Sequence, residues 1–167
     1  MAWTPVKFRA LDQLNGGAGT GSNEVLLGYQ VADARRWADA YGIPFVYNHR
    51  RNPADQTAHK VHLLAQDAGK EWEARWLGEC YGAIRVHGLD YTIPEVTLDL
   101  ARKVGIPGLD RLDDPNLDAR LDANTRQAHK DGACGVPFLR WKGQAYWGND
   151  RLAWLEAHLA GRPHPDV

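Results

Sequence analysis

The sequence is poor in sulfur, with two cysteines, Cys80 and Cys134, and one methionine. The cysteines stand far apart and form no Cys-x-x-Cys pair, which excludes a disulfide framework or a zinc finger and points to a reducing compartment. Charge of either sign is not in excess: 20 Lys+Arg against 21 Asp+Glu give a formal net charge of -1, scattered along the chain. Neither nucleic acid nor an anionic membrane is therefore an expected partner. No apolar stretch approaches the roughly 18 residues of a membrane span, and the opening MAWTPVKFRA lacks the apolar core of a signal peptide. A cytoplasmic protein is expected. What the chain does have is tryptophan, seven residues in 167. Each indole offers a large apolar area and an N–H that needs a partner, so these residues predict a helical core or an aromatic-lined pocket.

Trp3 to Phe8 alternates in a way that predicts a short strand, with Pro5 placing it at an edge or a strand end. The glycine-rich run from Asn15 to Ser22 reads as a loop, because it lacks the G-x-x-x-x-G-K-[ST] order of a phosphate cradle. Helical spacing follows. Leu26, Leu27, Val31, Ala34, Trp37, Ala38 and Tyr41 predict a helix opened by Ser22 or Asn23 and stopped by Gly42. After a polar loop, two further helices are predicted, from about Gln56 to Ala68 and from Lys70 to about Val86, paired as a hairpin. Pro94 opens the next, which runs to Gly105, and Asp114-Pro115 opens one that ends at Gly132.

The last third changes character. Val136 to Trp141 and Ala145 to Trp147 read as two strands joined by a turn at Lys142-Gly143-Gln144. Asn149-Asp150 then caps a helix whose Leu152, Leu155 and Leu159 share a face and which ends at Gly161.

This order of helices, Gly-Val-Pro, hairpin and final helix resembles the second half of a thioredoxin fold of the DsbA-like branch, interrupted by an all-α subdomain. Within that branch, Gly132-Ala-Cys-Gly-Val-Pro-Phe138 followed by Tyr146-Trp-Gly-Asn-Asp-Arg-Leu152 resembles the 2-hydroxychromene-2-carboxylate isomerases and the related kappa-class glutathione transferases. Trp3-Thr-Pro-Val6 is similar to that family's second strand. Ala34-Arg-Arg-Trp37 with Gly42-Ile-Pro-Phe45 is similar to its first subdomain helix and exit, and Leu121-Asp-Ala-Asn-Thr125 to its last. The resemblance implies one α/β domain over residues 1–167, a helical insertion over about 22–131 and a C-terminal cis-proline loop, hairpin and helix over 132–161. One departure stands out. The family begins with a strand–helix unit carrying a Ser, or a Cys in the disulfide oxidases, and no counterpart of those roughly 30 residues stands before Trp3. An upstream start, a strand from another chain, or Trp3 to Phe8 sliding into the gap would each account for it.

The resemblance also implies a function and a site. It implies glutathione as cofactor, a small aromatic or unsaturated carboxylate as substrate, isomerisation by reversible thiolate addition, and a homodimer. Val136 and Pro137 match the cis-proline loop, where the main chain pairs with a bound thiol peptide like an added strand. Asn149 and Asp150 match the helix start that receives the γ-glutamyl end, and Asn15 lies in a loop the family places beside the glutathione backbone. The catalytic residue is unassigned. The alternatives are a non-catalytic glutathione- or partner-binding chain, or a thiol–disulfide oxidoreductase, for which Cys80 and Cys134 lack the spacing. Both cysteines are expected to be buried. His59 and His62 lie three apart on a helix, but no third ligand accompanies them and no metal is expected. Arg35, Arg36 and Arg140 are candidate partners for a carboxylate, and Trp37, Tyr146 and Trp147 for its ring.

Overall fold

The computed structural model describes residues 2–17, 24–48, 56–91 and 93–165. Its elements are α1 (Phe8–Leu14), α2 (Glu24–Tyr41), α3 (Thr57–Ala68), α4 (Lys70–Arg85), α5 (Pro94–Val104), α6 (Pro115–Lys130), β1 (Phe138–Trp141), β2 (Gln144–Trp147) and α7 (Leu152–Leu159). Two compact units divide the chain, one of Met1–Pro5 with Thr20–Leu121 and one of Val6–Gly19 with Asp122–Val167. No described helix is long and apolar enough to cross a membrane.

The helical unit is built around α3, in which five consecutive residues from Val61 to Ala65 are buried. A helix apolar on one stripe would bury only alternate groups of residues, so this run marks a helix enclosed on several sides. It packs on α4 and α5. Val61, Leu63, Leu64, Trp76, Ala101, Val104, Ile106, Leu117 and Leu121 form the core. The Trp76 indole N–H donates to the Ala58 carbonyl at 3.3 Å, which meets the requirement for a buried indole. At the rim, Arg120 grips Asp67 with two bonds of 2.9 Å, and Lys60 meets Asp118 at 2.8 Å. The exit from α2 is held by Asn48, whose amide donates to the Leu89 carbonyl at 2.8 Å.

The same unit buries one charged group. Glu73 accepts from His62 Nε2 at 3.0 Å and from Gln66 Nε2 at 2.7 Å, with His62 and Glu73 only 7% and 9% exposed. Burial lowers the proton affinity of His62 and its bond to Glu73 only partly offsets this, so the ring is neutral. Burial alone would raise Glu73, but the bonds from His62 and Gln66 outweigh it and hold the carboxyl below its ordinary range.

The expected strand at Trp3 to Phe8, whose residues are divided between the two units after Pro5, does not form. Residues 2–7 carry no regular structure, and Phe8 already belongs to α1. A strand needs a ladder, and among the described residues the sheet consists of β1 and β2 alone. Side chains satisfy the segment instead. The Lys7 main-chain N–H donates to Thr125 Oγ1 at 3.0 Å and its ammonium meets Asp122 at 2.7 Å, both on α6. β1 and β2 pair antiparallel in the register Phe138 with Trp147 through Trp141 with Gln144. Lys142 and Gly143 have φ of 46° and 81°, the double left-handed geometry of a two-residue hairpin turn with the twist of its strands.

The tryptophans are not the core. Trp76 is buried, but Trp3, Trp141, Trp147 and Trp154 are all 39% exposed or more. On α7 the buried residues are Leu155 and Ala157, while Leu152 and Leu159 face solvent. The capping expectation at Ser22 or Asn23 lies outside the described residues.

The His62–Glu73 pair sets an expected pH dependence. Both groups bind protons less readily folded than unfolded, so their contribution is complete above the ordinary His value of 6.5. It declines as pH falls below that, and further below the ordinary Glu value of 4.5. Thermal melts should show Tm decreasing from pH 7.5 to 5, with His62→Gln flattening the slope; a flat wild-type profile would rule this out. Glu73→Ala, which strands two donors, should destabilise the fold by about 2–3 kcal/mol in denaturant titration.

Candidate functional site

The cis-proline region starts where α6 ends. Gly132, at φ 82°, adopts a left-handed conformation that a side chain would oppose. It donates to the His129 carbonyl at 3.0 Å, and Ala133 N–H donates to Ala128 at 2.9 Å. These are the paired bonds of a Schellman closure. The carbonyl of Ala133, a residue only 2% exposed, accepts from Asn15 Nδ2 at 2.9 Å, while Asn15 Oδ1 meets His129 Nδ1 at 2.8 Å. Asn15 thereby ties the end of α1 to both the last turn of α6 and the loop that leaves it. Asp131 adds a second tie, accepting from Gln127 at 3.1 Å and pairing with Arg140 of β1 at 2.6 Å.

The loop then surfaces. Cys134 is exposed, Gly135 is buried, and Val136 and Pro137 are exposed, joined by a cis peptide bond. The Trp147 indole lies on Gly135: a Cβ built there would come within 2.5 Å of Nε1. Among the described residues no hydrogen bond engages the main chain of Val136, whereas the Pro137 carbonyl accepts from Gly148 N–H at 3.0 Å. That bond brings Gly148 to Asp150 against the loop. A Cβ on Gly148 would lie 2.8 Å from Asp150 Oδ1, so the carboxylate folds back over this glycine.

Val136, Pro137, Asn149 and Asp150 are thus brought together at the open end of the hairpin. Asn15 reaches the same region through the Ala133 carbonyl. The expected helix cap is corrected, since Asn149–Arg151 forms a 3-10 turn and the residue before α7 is Arg151, whose side chain makes no capping bond. Asp150 pairs instead with Arg151 at 3.0 Å. The burial expected of Cys134 is also corrected: it stands between buried Ala133 and buried Gly135 and faces outward. Cys80 packs on the helical core, and burial pushes its thiol up to about 11.

The substrate-pocket candidates divide. Arg36 pairs with Asp33 at 3.4 Å, Arg35 is exposed, and Trp37 stacks at 5.5 Å on Tyr41, all on α2. Arg140 is engaged by Asp131, and the Tyr146 phenol is buried against His158, so of these residues Trp147 is the one beside Val136. No cluster of three or more His, Cys, Asp or Glu able to hold a metal occurs among the described residues. His129 is a neighbour of this loop that the sequence did not reveal. It pairs with a residue 114 positions away, and its only local signal was its place in the last turn of α6.

A model of the DSBA-like thioredoxin domain matches residues 1–160, and the chain belongs to that family. Its relatives include the 2-hydroxychromene-2-carboxylate isomerase of Pseudomonas putida, 27% identical over 143 residues, covering 81% of this chain and 66% of the relative. The protein of that name from Pseudomonas sp. (strain C18) is 27% identical, covering 83% of this chain and 65% of the relative. That of Sphingobium xenophagum is 24% identical, covering 86% and 74%. This chain therefore spans about two thirds of the length of the two Pseudomonas proteins. A solved structure of 2-hydroxychromene-2-carboxylate isomerase superposes with a TM-score of 0.85 at 22% identity over 96% of this chain and 79% of the other, which establishes the DsbA-like thioredoxin fold.

Two substitutions test how the loop is held. Asn15→Ala leaves the Ala133 carbonyl without its donor and should cost about 1–2 kcal/mol, with faster amide hydrogen exchange at Ala133 and Gly148, whose N–H groups are hydrogen-bonded on either side of the loop. Unchanged exchange there would show that the loop is held by other means. Gly135→Ala should displace the Trp147 ring, read as a large shift of its indole N–H resonance, and destabilise by about 1–3 kcal/mol.

Proposed function

We propose that this protein is a glutathione-dependent isomerase of the 2-hydroxychromene-2-carboxylate type, acting on an unsaturated aromatic-pathway acid. The observation that carries the reading is the exposed, unpartnered main chain of Val136 next to the Asp150 carboxylate, in a chain whose relatives bear that isomerase name. A tripeptide thiol needs a main-chain edge to lie along and a carboxylate for its ammonium group, and these residues fit both needs. Val136 would pair with the peptide as a further strand, in line with the ladder that begins at Phe138. Asp150 would share its carboxylate between the ammonium and Arg151. Asn149 completes the turn that presents Asp150, and Asn15 holds the loop from behind through Ala133.

Glutathione supplies, when bound, a thiolate that adds reversibly to an unsaturated carbonyl and is recovered unchanged. The contribution of this chain is to fix the peptide and shield one side of it. Exposed Trp147 and Val136 offer an apolar surface for a ring at the same place. Thiol–disulfide exchange by the protein itself fits less well, because Cys80 packs on the helical core and exposed Cys134, 54 positions on, has no cysteine at redox-pair spacing. A homodimer in the reducing cytoplasm belongs to the same reading, in keeping with two free cysteines.

Calorimetric titration of the chain with glutathione, with its mass in solution measured on the same sample, tests the proposal. Saturable binding is expected, weakened roughly threefold to tenfold in Asp150→Ala. Absence of binding by folded protein would overturn it. Binding without turnover of chromene carboxylates would instead support a non-catalytic glutathione-binding role.

A further inference from the structure

Helix α1 is fastened to α6 at both of its ends. Before its first turn, the Lys7 N–H donates to Thr125 Oγ1 at 3.0 Å and the Lys7 ammonium to Asp122 Oδ1 at 2.7 Å. Beyond its last turn, Asn15 Oδ1 meets His129 Nδ1 at 2.8 Å. Between these ties lies a cleft of about 360 Å³, lined by Ala10, Gln13 and Leu14 of α1 and by Asp122, Thr125 and Arg126 of α6. We propose that this cleft binds a free α-amino acid with an apolar side chain, at a site distinct from Val136 and Asp150 and independent of the reading given for them.

Unmatched charge is the first argument. Arg126 is exposed and, among the described residues, has neither a hydrogen bond nor an ion pair. Asp122 stands four residues earlier on α6, where opposite charges on a helix ordinarily pair. Here Lys7 holds its Oδ1, and no described residue meets its Oδ2. A carboxylate oxygen and a guanidinium therefore stand about 6 Å apart along the helix axis, at ~1.5 Å per residue, with neither satisfying the other. The Lys7 ammonium offsets the charge of Asp122 without occupying that second oxygen, which leaves the charge of Arg126 uncompensated. An α-amino acid carries both complementary groups on one carbon: its ammonium fits Asp122 Oδ2 and its carboxylate fits the Arg126 fork. Exposed Gln13, whose amide is also unengaged among the described residues, can donate to the same carboxylate.

Apolar surface is the second. Ala10 and Leu14 lie one turn apart on the same face of α1, and Leu14 is 46% exposed. An aliphatic side chain laid on them would remove that surface from water. The volume is near the lower end of the ~300–1,000 Å³ typical of small-molecule sites, which suits one amino acid better than a peptide. A peptide also divides its terminal ammonium and carboxylate between different residues.

Rigidity is the third. Thr125 is buried, and its bond to the Lys7 N–H sets the start of α1, while Asn15 sets the end. Leu11, also buried, anchors the helix between them. The walls of the cleft therefore stand in place before a ligand arrives, and binding has only the Arg126 and Gln13 side chains to order.

The test is a nitrogen-15 NMR titration of the full chain with leucine, N-acetyl-leucine, leucine amide and glycine. Leucine should shift the amides of Leu14 and Arg126 and the Arg126 Nε–H saturably, with little change at Val136 and Asn149. N-acetyl-leucine and leucine amide each lack one of the two charges and should bind about tenfold more weakly, and glycine about fivefold more weakly. Arg126→Gln and Leu14→Ala, both at exposed positions, should weaken leucine about tenfold and about threefold while leaving the remaining spectrum in place. Undiminished leucine affinity in Arg126→Gln, the absence of a saturable shift with leucine, or shifts confined to the Val136 end would overturn the site. N-acetyl-leucine or leucine amide binding as tightly as leucine would overturn the pairing of both charges with one ligand, and glycine binding as tightly would overturn its apolar side.

Discussion

The passage from α6 into β1 is the constraint on which the rest of the hairpin unit depends. Helix α6 must stop, its exposed carbonyls must be satisfied, and the chain must reverse into a strand before Phe138. Gly132 and Ala133 close the helix from within, and Asn15 takes hold of Ala133 from α1. From that fixed carbonyl the position of each later group follows: Gly135 under Trp147, Val136 outward, and Pro137 against Gly148. The carboxylate of Asp150 has its place because Gly148 is anchored to Pro137. Surface ion pairs such as Asp131 with Arg140 contribute little alone, about 0–1 kcal/mol, and act mainly to orient.

In the helical unit the governing interaction is different. Helix α3 is enclosed, so its two polar residues on that path, His62 and Gln66, have to find partners in the protein, and Glu73 supplies one acceptor for both. A buried carboxylate shared between two donors is stable only as a complete set, which is why the unit responds to acid as well as to truncation. α6 belongs to both settings, contributing Leu117 and Leu121 to the helical core and Thr125 and His129 to the other unit.

Much of this was legible in the sequence where signals are local. Helical spacing between glycine and proline stops placed α3, α4, α5 and α6 within a residue or two, and Lys142-Gly143 marked the hairpin turn. The paired motifs around Val136-Pro137 and Gly148-Asn149-Asp150 carried the family. What failed was non-local. Trp3 to Phe8 alternates like a strand, but alternation cannot say whether a neighbour is there to pair with, and Phe8 and Leu11 serve α1 instead. The tie between Asn15 and His129 spans almost the whole hairpin unit in sequence and leaves no spacing to read. Cys134 and the tryptophans were assigned by residue-type averages, which tertiary context overrode.

The outward placement of the tryptophans has a practical optical consequence. Trp3, Trp141, Trp147 and Trp154 meet water in the native state, and only Trp76 lies wholly in the core. Emission from the folded protein is therefore weighted toward hydrated indoles and contrasts little with that of the denatured chain. Intrinsic fluorescence will follow quenchers and ligands at the surface better than it follows melting, and the helix content seen by circular dichroism is the fitting monitor of the fold.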